Sequence, residues 1–502
     1  MRTSVTNPLQ IASVRAGPSF GRIGLTLCPG KQQRGAATGA WARDLALDLD
    51  AIAEWGAAAV LTLVDKEELA RLGVDLVALR EGVAARHMIW QYYPLTDGGV
   101  PEAVYDGAWG VVGPELLALL RDGFDVLVHC KGGLGRAGTM AAQLLVELGV
   151  DDELAVELVR EARPGAIENT AQENYVRHCR AAGEELPGTR EEDIAERALG
   201  SLLGLAIGDA LGTTLEFSRR DSQPRLTDIV GGGPFRLQPG QWTDDTAMAL
   251  ALAASLAANP LLDEADLMQR FVAWHERGEY ACTGICFDIG ITTRRALQRF
   301  KQTGLPVAGS TDPLSAGNGS LMRLAPVAIR HWADRATLRD VAARQSRTTH
   351  GAPEAVAACV AFAEVLADAI EGRPRSHVMR EHRGAYAGNI AAIMAGSWRG
   401  KHRDAIRSSG YVAHSLEAAL WCVGRTDNFS DAVLLAANLG EDADTVSAIA
   451  GQLAGALYGA EGIPKEWRGK LALADKLEAV ADVLIGATMP KASAVVKQSF
   501  LL

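Results

Sequence analysis

DVLVHCKGGLGRAGTMAAQLL, residues 125–145, reads as an apolar strand that ends in His129-Cys130, a glycine-rich loop, and a helix opened by Arg136. Strand, tight loop and helix in that order form the repeating unit of an α/β domain with a largely parallel sheet. Outward from it, AAAVLTLV (57–64) and MIWQYYPL (88–95) read as further strands. Helical patterns occupy 42–55, 101–121 and 138–149.

The loop also has a chemical reading. Gly132, Gly133 and Gly135 let the main chain turn inward. With Lys131 and Leu134 they set a ring of backbone N–H groups around one small volume, and the helix N-terminus adds positive potential. An anion of three oxygens fits there, and Arg136 can grip two of them. The same field favours a nucleophilic thiolate at Cys130. Expelling an alkoxide or phenoxide calls for a proton donor, and Asp97, followed by Gly98-Gly99 in PLTDGG (94–99), is an acid in a loop that could close over substrate. The plain alternatives are a buried cysteine before an ordinary β–α turn and, for Asp97, an Asp-Gly turn.

The 502 residues leave room for two to four domains at about 150 residues each. At 48% hydrophobic and 22% charged, the composition is that of a globular chain, neither disordered nor disulfide-stapled. A net charge of −11 repels polyphosphate backbones, so no nucleic-acid partner is expected. No uninterrupted apolar run approaches the ~20 residues of a membrane helix, and no membrane association is expected. The amino terminus lacks an apolar signal region, although its basic opening has a faint organelle-address character. Seven cysteines without a framework suit a reducing compartment, and a cytoplasmic location is expected. Cys282 and Cys286, four apart, could share a helix face, but no second pair or His completes a zinc site.

The chain changes character at AAGEELPGTREE (181–192), charged and broken by Gly and Pro. We therefore expect an α/β domain over 1–185, a linker at 186–192 and an all-α domain over 193–490. In the latter, Ala-rich helical patterns cover 193–210, 245–258, 264–276, 353–371, 411–423, 430–438 and 445–458, and Ala, Leu and Gly permit close helix approach. Two acidic strings head apolar helices: Thr243-Asp244-Asp245 in QWTDDTAMALALA and Asp442-Ala443-Asp444-Thr445 in GEDADTVSAIAGQLAGALYG. Singly, each reads as a helix cap meeting the dipole. As a matched pair, they supply hard oxygen donors that would repel one another unless cations neutralised them. One or two Mg²⁺ or Mn²⁺ ions answer that need, and oxygen-only ligation disfavours zinc.

The string HC-x5-R-x-G-T, with GLTLCPGK (24–31), YPLTDGGVP (93–101) and GAIENTAQENYV (165–176), resembles the cysteine-dependent protein tyrosine phosphatases, in particular the kinase-associated dual-specificity phosphatase family. The resemblance, over about 6–180, implies Cys130 as nucleophile, Arg136 as phosphate clamp and Asp97 as general acid on a mobile loop. It further implies that Thr139 donates to the cysteine sulfur, that Gln172 orients water, and that no cofactor is used. His129 is expected to orient the loop. A single loop lysine leaves the substrate open between a phosphorylated protein and a small phosphate.

The second half resembles the ADP-ribosylglycohydrolase family over about 195–485. The matching strings are GSLLGLAIGDALGTTLEF (200–217), CFDIGITTRRAL (286–297), GNGSLMRLAPVAI (317–329), TTHGAPEA (348–355) and SGYVAHSLEAALW (409–421), besides the two acidic strings. The resemblance implies a metal pair held by Thr243, Asp244, Asp245, Asp442, Asp444 and Thr445, with Glu216 nearby. It places Asp288 at the ribose, and Gly317, Asn318, Gly319 and Ser320 around ADP-ribose. His350 is either a substrate contact or a cap histidine, and Tyr411 either stacks on adenine or packs. Glu216 or Asp245 would deprotonate the attacking water. Glu441 stands where the family has glycine and adds a further acid. The expectation is a bifunctional hydrolase: a cysteine phosphatase joined to a metal-dependent hydrolase of ADP-ribosylated proteins or small molecules, both halves meeting one substrate or pathway. Its alternatives are a sensor that binds phosphate and ADP-ribose without turnover, or a hydrolase whose first domain only recruits a phosphoprotein.

Overall fold

The computed structural model describes residues 1–35, 39–101, 106–184, 186–382 and 384–486. Contacts divide the chain into one unit of Met1–Glu185, with which Arg399–Ala405 is grouped, and another from Leu186 onward. Each is described by itself.

The first unit contains strands β1 (Ala12–Val14), β2 (Ile23–Leu27), β3 (Gln32–Gln33), β4 (Trp41–Ala42), β5 (Ala57–Thr62), β6 (Ile89–Tyr92) and β7 (Asp125–Cys130). Five of them make a sheet in the order β1-β2-β7-β5-β6, parallel except for β1 at the edge. Every residue of β5 and β7 is buried, which explains their unbroken apolar runs: a parallel sheet is covered on both faces. Leu27 pairs with Cys130 and Thr62 with His129, so the carboxyl ends of the three central strands meet at one edge, where α/β folds bind ligands. The helix Gly135–Glu147 follows β7 and is buried from Gly135 through Val146.

Three of the expected helices hold. They are Leu45–Trp55, Gly135–Glu147 and Asp106–Arg121, the last with residues 102–105 outside the described set. Lys66–Arg71, Leu76–Ala84, Asp152–Ala162 and Thr170–His178 add helices that the strand-dominated reading passed over.

The second unit is built around two antiparallel helices, Glu191–Gly212 and Ala443–Tyr458. Gly200, Gly204, Gly208 and Gly212 recur every fourth residue and so share one face. A Cβ on them would stand 2.3, 2.1, 2.1 and 2.3 Å from the carbonyl oxygens of Gly455, Gly451, Ser447 and Ala443. The two backbones therefore touch, with no room for any side chain between them. Glu191–Leu215 is long and apolar enough to cross a membrane, but its apolar window is 89% buried inside the unit, which marks it as a core helix. It starts at Glu191, so the last two positions of the expected linker are helical. Cys282 and Cys286 lie outside any helix, in the turn region before Ile291–Thr303, and share no helix face.

Gly204→Ala should destabilise this unit by about 3 kcal/mol or more, the cost of overpacking against a rigid backbone. Gly469→Ala, where a Cβ would meet nothing within 4 Å, should be neutral or slightly stabilising. Thermal denaturation of the two variants in the full chain checks this.

Candidate active sites

In the first unit, β7 delivers Cys130 to the sheet edge and the chain turns at once. The Gly133 N–H donates to Cys130 Sγ at 3.2 Å. Gly133 has φ 70°, and a Cβ there would lie 2.4 Å from the Thr26 carbonyl carbon, so only glycine permits this turn. The loop Lys131–Leu134 then leads into the helix that carries Arg136.

Arg136 is buried and reaches five acceptors, the Leu63 carbonyl at 3.5 Å among them. Its Nη1 donates to Glu68 Oε2 at 2.7 Å and to the Leu95 carbonyl at 2.9 Å. Its Nη2 donates to Glu68 Oε1 at 3.1 Å and to Asp97 Oδ1 at 3.0 Å. Lys131 Nζ reaches Asp97 Oδ2 at 3.2 Å. Two cations thus seat the Asp97 carboxylate over the cysteine loop, while its side chain stays 60% exposed and able to leave. Asn169 and Gln172 fasten the glycines behind it, donating to the carbonyls of Gly98 at 3.0 Å and Gly99 at 3.4 Å.

Two residues differ from their expected roles. Thr139 Oγ1 donates to the Gly135 carbonyl at 2.9 Å, which occupies its one hydroxyl proton and leaves none for the cysteine sulfur. Gln172 is buried and engaged with the acid loop and with the Glu168 N–H at 2.8 Å. His129 bridges to Thr62 Oγ1 at 2.9 Å, and burial holds its pKa down to about 3, so it stays neutral and orients. Glu68 was not anticipated. Nothing in KEELAR distinguishes this buried glutamate from its exposed neighbours.

In the second unit, the helix pair sets two acidic strings against each other. Thr243 Oγ1 reaches Asp444 Oδ2 at 3.4 Å, and Thr445 Oγ1 reaches Asp245 Oδ1 at 3.5 Å. Glu216, Asp442 and Asp444 bring one oxygen each within 4.8 Å of one another. The cap alternative fails: neither Thr243 nor Asp442 caps its helix with its side chain. That work falls to Asp209, which accepts from the Thr243 and Thr246 backbone N–H groups at 2.9 and 3.0 Å and from both threonine hydroxyls. Asp209 was missed, although a single carboxylate in the apolar run GLAIGDALG must either be buried with partners or break the helix face.

Seven carboxyl groups share this spot: Asp209, Glu216, Asp244, Asp245, Asp288, Asp442 and Asp444. Burial, then mutual repulsion, pushes Glu216 up to about 12 and Asp288 to about 7. Burial likewise raises Asp442 to about 6, and Asp244, Asp245 and Asp444 well above the usual range. Glu216 Oε2 and Asp245 Oδ2 are buried with no hydrogen-bond partner. Acceptor-only oxygens left without donors are what a divalent cation fits, so the donor set suits Mg²⁺ or Mn²⁺.

Asn318 Nδ2 donates to Asp442 Oδ2 and to Ser415 Oγ, the latter at 2.8 Å, tying the glycine loop to the acids. Ser320, His350 and Tyr411 each have partners within the protein, and His350 ends the helix Arg335–Thr349 as the cap alternative expects. Ser320 Oγ pairs with Ser346 Oγ at 2.8 Å in the core. His350 lies buried behind the loop, where a Cβ on Gly319 would meet its ring at 2.7 Å, so it supports the loop from beneath. Tyr411 is engaged with Glu354 and with Asn389. Glu441 has φ 58°, the region that favours glycine, and an exposed side chain. It contributes backbone bonds to this site and no buried acid. Arg323, also unanticipated, anchors the loop by donating to Gln345 and Thr349.

The raised carboxyls predict a pH dependence. Without divalent ions the folded chain holds these protons more tightly than the unfolded chain, so stability falls as pH rises from about 4, the ordinary carboxylate value, towards 7. The gap between melting temperatures measured with Mn²⁺ and with a chelator should therefore widen between about pH 5 and pH 7.

The comparisons with known proteins agree with this geometry. Residues 190–493 match the profile of the ADP-ribosylglycohydrolase family, and 45–176 that of the Swiss Army Knife protein, DSP-PTPase phosphatase domain. The chain is 48% identical over 295 residues to the ADP-ribosylarginine hydrolase Tri1 of Serratia proteamaculans, covering 59% of this chain and 80% of that protein. It is 28% identical over 178 residues to cyclin-dependent kinase inhibitor 3 of Rattus norvegicus, covering 34% and 76%. A solved structure described as an ADP-ribosylglycohydrolase-related protein complex is similar at TM-score 0.53 and 39% identity, covering 59% of this chain and 100% of that one. A helix-rich unit carrying the paired acidic strings thus follows a phosphatase-like α/β unit, and the chain belongs to the ADP-ribosylglycohydrolase family.

Proposed function

We propose that the protein is a bifunctional hydrolase. Its second unit cleaves the bond between ADP-ribose and an arginine side chain with the help of Mg²⁺ or Mn²⁺. The observation that carries this reading is the convergence of Thr243–Asp245 and Asp442–Thr445 around the unpartnered oxygens of Glu216 and Asp245. The ions would be held by Thr243, Asp244, Asp245, Asp442, Asp444 and Thr445, and when bound supply Lewis-acid polarisation and positioning of ribose hydroxyls and water. The chain supplies the rest. Asn318 and the backbone of Gly317 and Gly319 hold the nucleotide, and Asp288 lies against the ribose. With cations bound beside it to hold it ionised, Glu216 would remove the proton from water. It is preferred over Asp245 because it is less deeply buried, 5% against 1% exposed, and Asp245 lies against Thr445. Positive charge building at the anomeric carbon is met by the remaining carboxylates. The arginine acceptor is supported by the similarity to ADP-ribosylarginine hydrolase.

The first unit acts as a phosphatase. Cys130 attacks phosphorus, the bond to the leaving oxygen breaks as Asp97 protonates it, and water later releases phosphate from the cysteine. Arg136, held by Glu68, grips the phosphate oxygens once Asp97 has moved aside. The substrate is a phosphorylated protein or a small phosphate. A nucleophilic thiol needs reducing conditions, which supports a cytoplasmic setting.

Reciprocal variants test both halves. Cys130→Ser should abolish phosphate release from p-nitrophenyl phosphate while leaving ADP-ribose release from ADP-ribosylarginine intact, and Asp97→Asn should slow the former by about 10²–10⁴-fold. Asp444→Asn, or a chelator, should abolish ADP-ribose release and spare phosphate release. A wild type that releases neither phosphate nor ADP-ribose, and so behaves like the variants on both substrates, would leave only a binding protein.

A further inference from the structure

A cluster of phenylalanines beside the acids has no part in the chemistry above. Phe217 directly follows Glu216 and is 68% exposed. Its φ of 58° lies in the left-handed region, a strained place for an aromatic side chain. Two backbone bonds of 2.7 Å impose it: Phe217 N–H to the Glu441 carbonyl, and Glu441 N–H to the Ser218 carbonyl. Strain that holds an apolar ring in solvent does not serve folding. Phe287 directly precedes Asp288, whose carboxyl is close enough to Glu216 and Asp444 to raise their pKa values.

Phe235 stands between them. Its hairpin is closed by Gly232 and Leu237, which exchange backbone bonds of 2.8 and 2.9 Å. The hairpin is fastened to the turn that leads into Glu216: Thr214 Oγ1 donates to the Gly231 carbonyl at 3.0 Å, and a Cβ on Gly233 would lie 2.0 Å from the Thr213 carbonyl oxygen. The ring centroids are 6.5 Å apart for Phe217 and Phe235, edge-on, and 5.2 Å for Phe235 and Phe287, tilted. Three separate segments, two of them carrying site acids, thus converge on one aromatic rim.

Ring faces present negative potential, and the carboxyl groups beside them offer acceptor oxygens even when neutral. A flat, delocalised and weakly hydrated cation satisfies both, and a guanidinium is that cation. The nucleotide end of the substrate brings phosphate charges, which the negative faces of aromatic rings disfavour. We infer that Phe217, Phe235 and Phe287 form the acceptor subsite, stacking the guanidinium of an ADP-ribosylated arginine against the acidic centre. This rests on the hydrolase reading and adds to it the surface that selects the acceptor.

Phe235 is the informative position because it adjoins no acid in sequence. In the full-length protein with Mn²⁺, Phe235→Leu should raise KM for ADP-ribosylarginine about five- to tenfold, Phe235→Tyr should restore it, and inhibition by free ADP-ribose should match wild type. An unchanged KM in Phe235→Leu would overturn the proposal. Equal weakening towards ADP-ribose would also overturn it, by assigning the rings to the nucleotide end. A wild type that releases no ADP-ribose from this substrate would instead remove the hydrolase reading, and the acceptor subsite with it.

Discussion

Direct backbone contact between the helices Glu191–Gly212 and Ala443–Tyr458 is the constraint on which the larger unit depends. Because glycines at every fourth position leave no side chains between the two, the carboxyl end of one helix is pressed against the amino end of the other. Asp209 and Glu216 belong to the first end, and Asp442 and Asp444 to the second. Asp209 then captures the start of a third helix, Asp244–Ala258, through Thr243 and Thr246. One packing contact and one buried carboxylate bring together chain segments some two hundred positions apart.

The two units handle charge in opposite ways. In the first, a buried guanidinium, a lysine and a ring of N–H groups make a positive hollow, and in this structure Asp97 and Glu68 neutralise it. In the second, carboxyl groups crowd into a buried space where no Lys or Arg pairs with them among the described residues, and each is driven towards its neutral form. The first arrangement is a receptor for an anion. The second is an oxygen-rich donor set that could hold a divalent cation. Opposite charge at the two buried centres fits the phosphate transfer and the glycosidic cleavage proposed for them.

The chemistry-bearing strings were legible because each is local: six residues separate Cys130 from Arg136, and the Asp and Thr donors of each acidic string lie within four. Both fold classes followed from strand and helix periodicity for the same reason. Residues that position the reactive groups were not legible. Glu68 and Arg323 look like any surface charge until the fold buries them. Asp209 could have been suspected from its apolar surroundings, and the four-residue glycine spacing could have been read as a helix-contact face. His350 and Ser320 lie in matching strings yet have partners within the protein, because a motif records chain position and not side-chain direction.

The amino-acid sequence by itself determined which reactive groups exist and in which local frame each is presented, since a strand end, a glycine turn and a helix start are short-range consequences of residue type. Tertiary structure alone decided which groups share a volume, which are stripped of water and which acids go unpaired. Those outcomes depend on contacts between distant segments, where desolvation and Coulomb repulsion are set by separation in space and not along the chain.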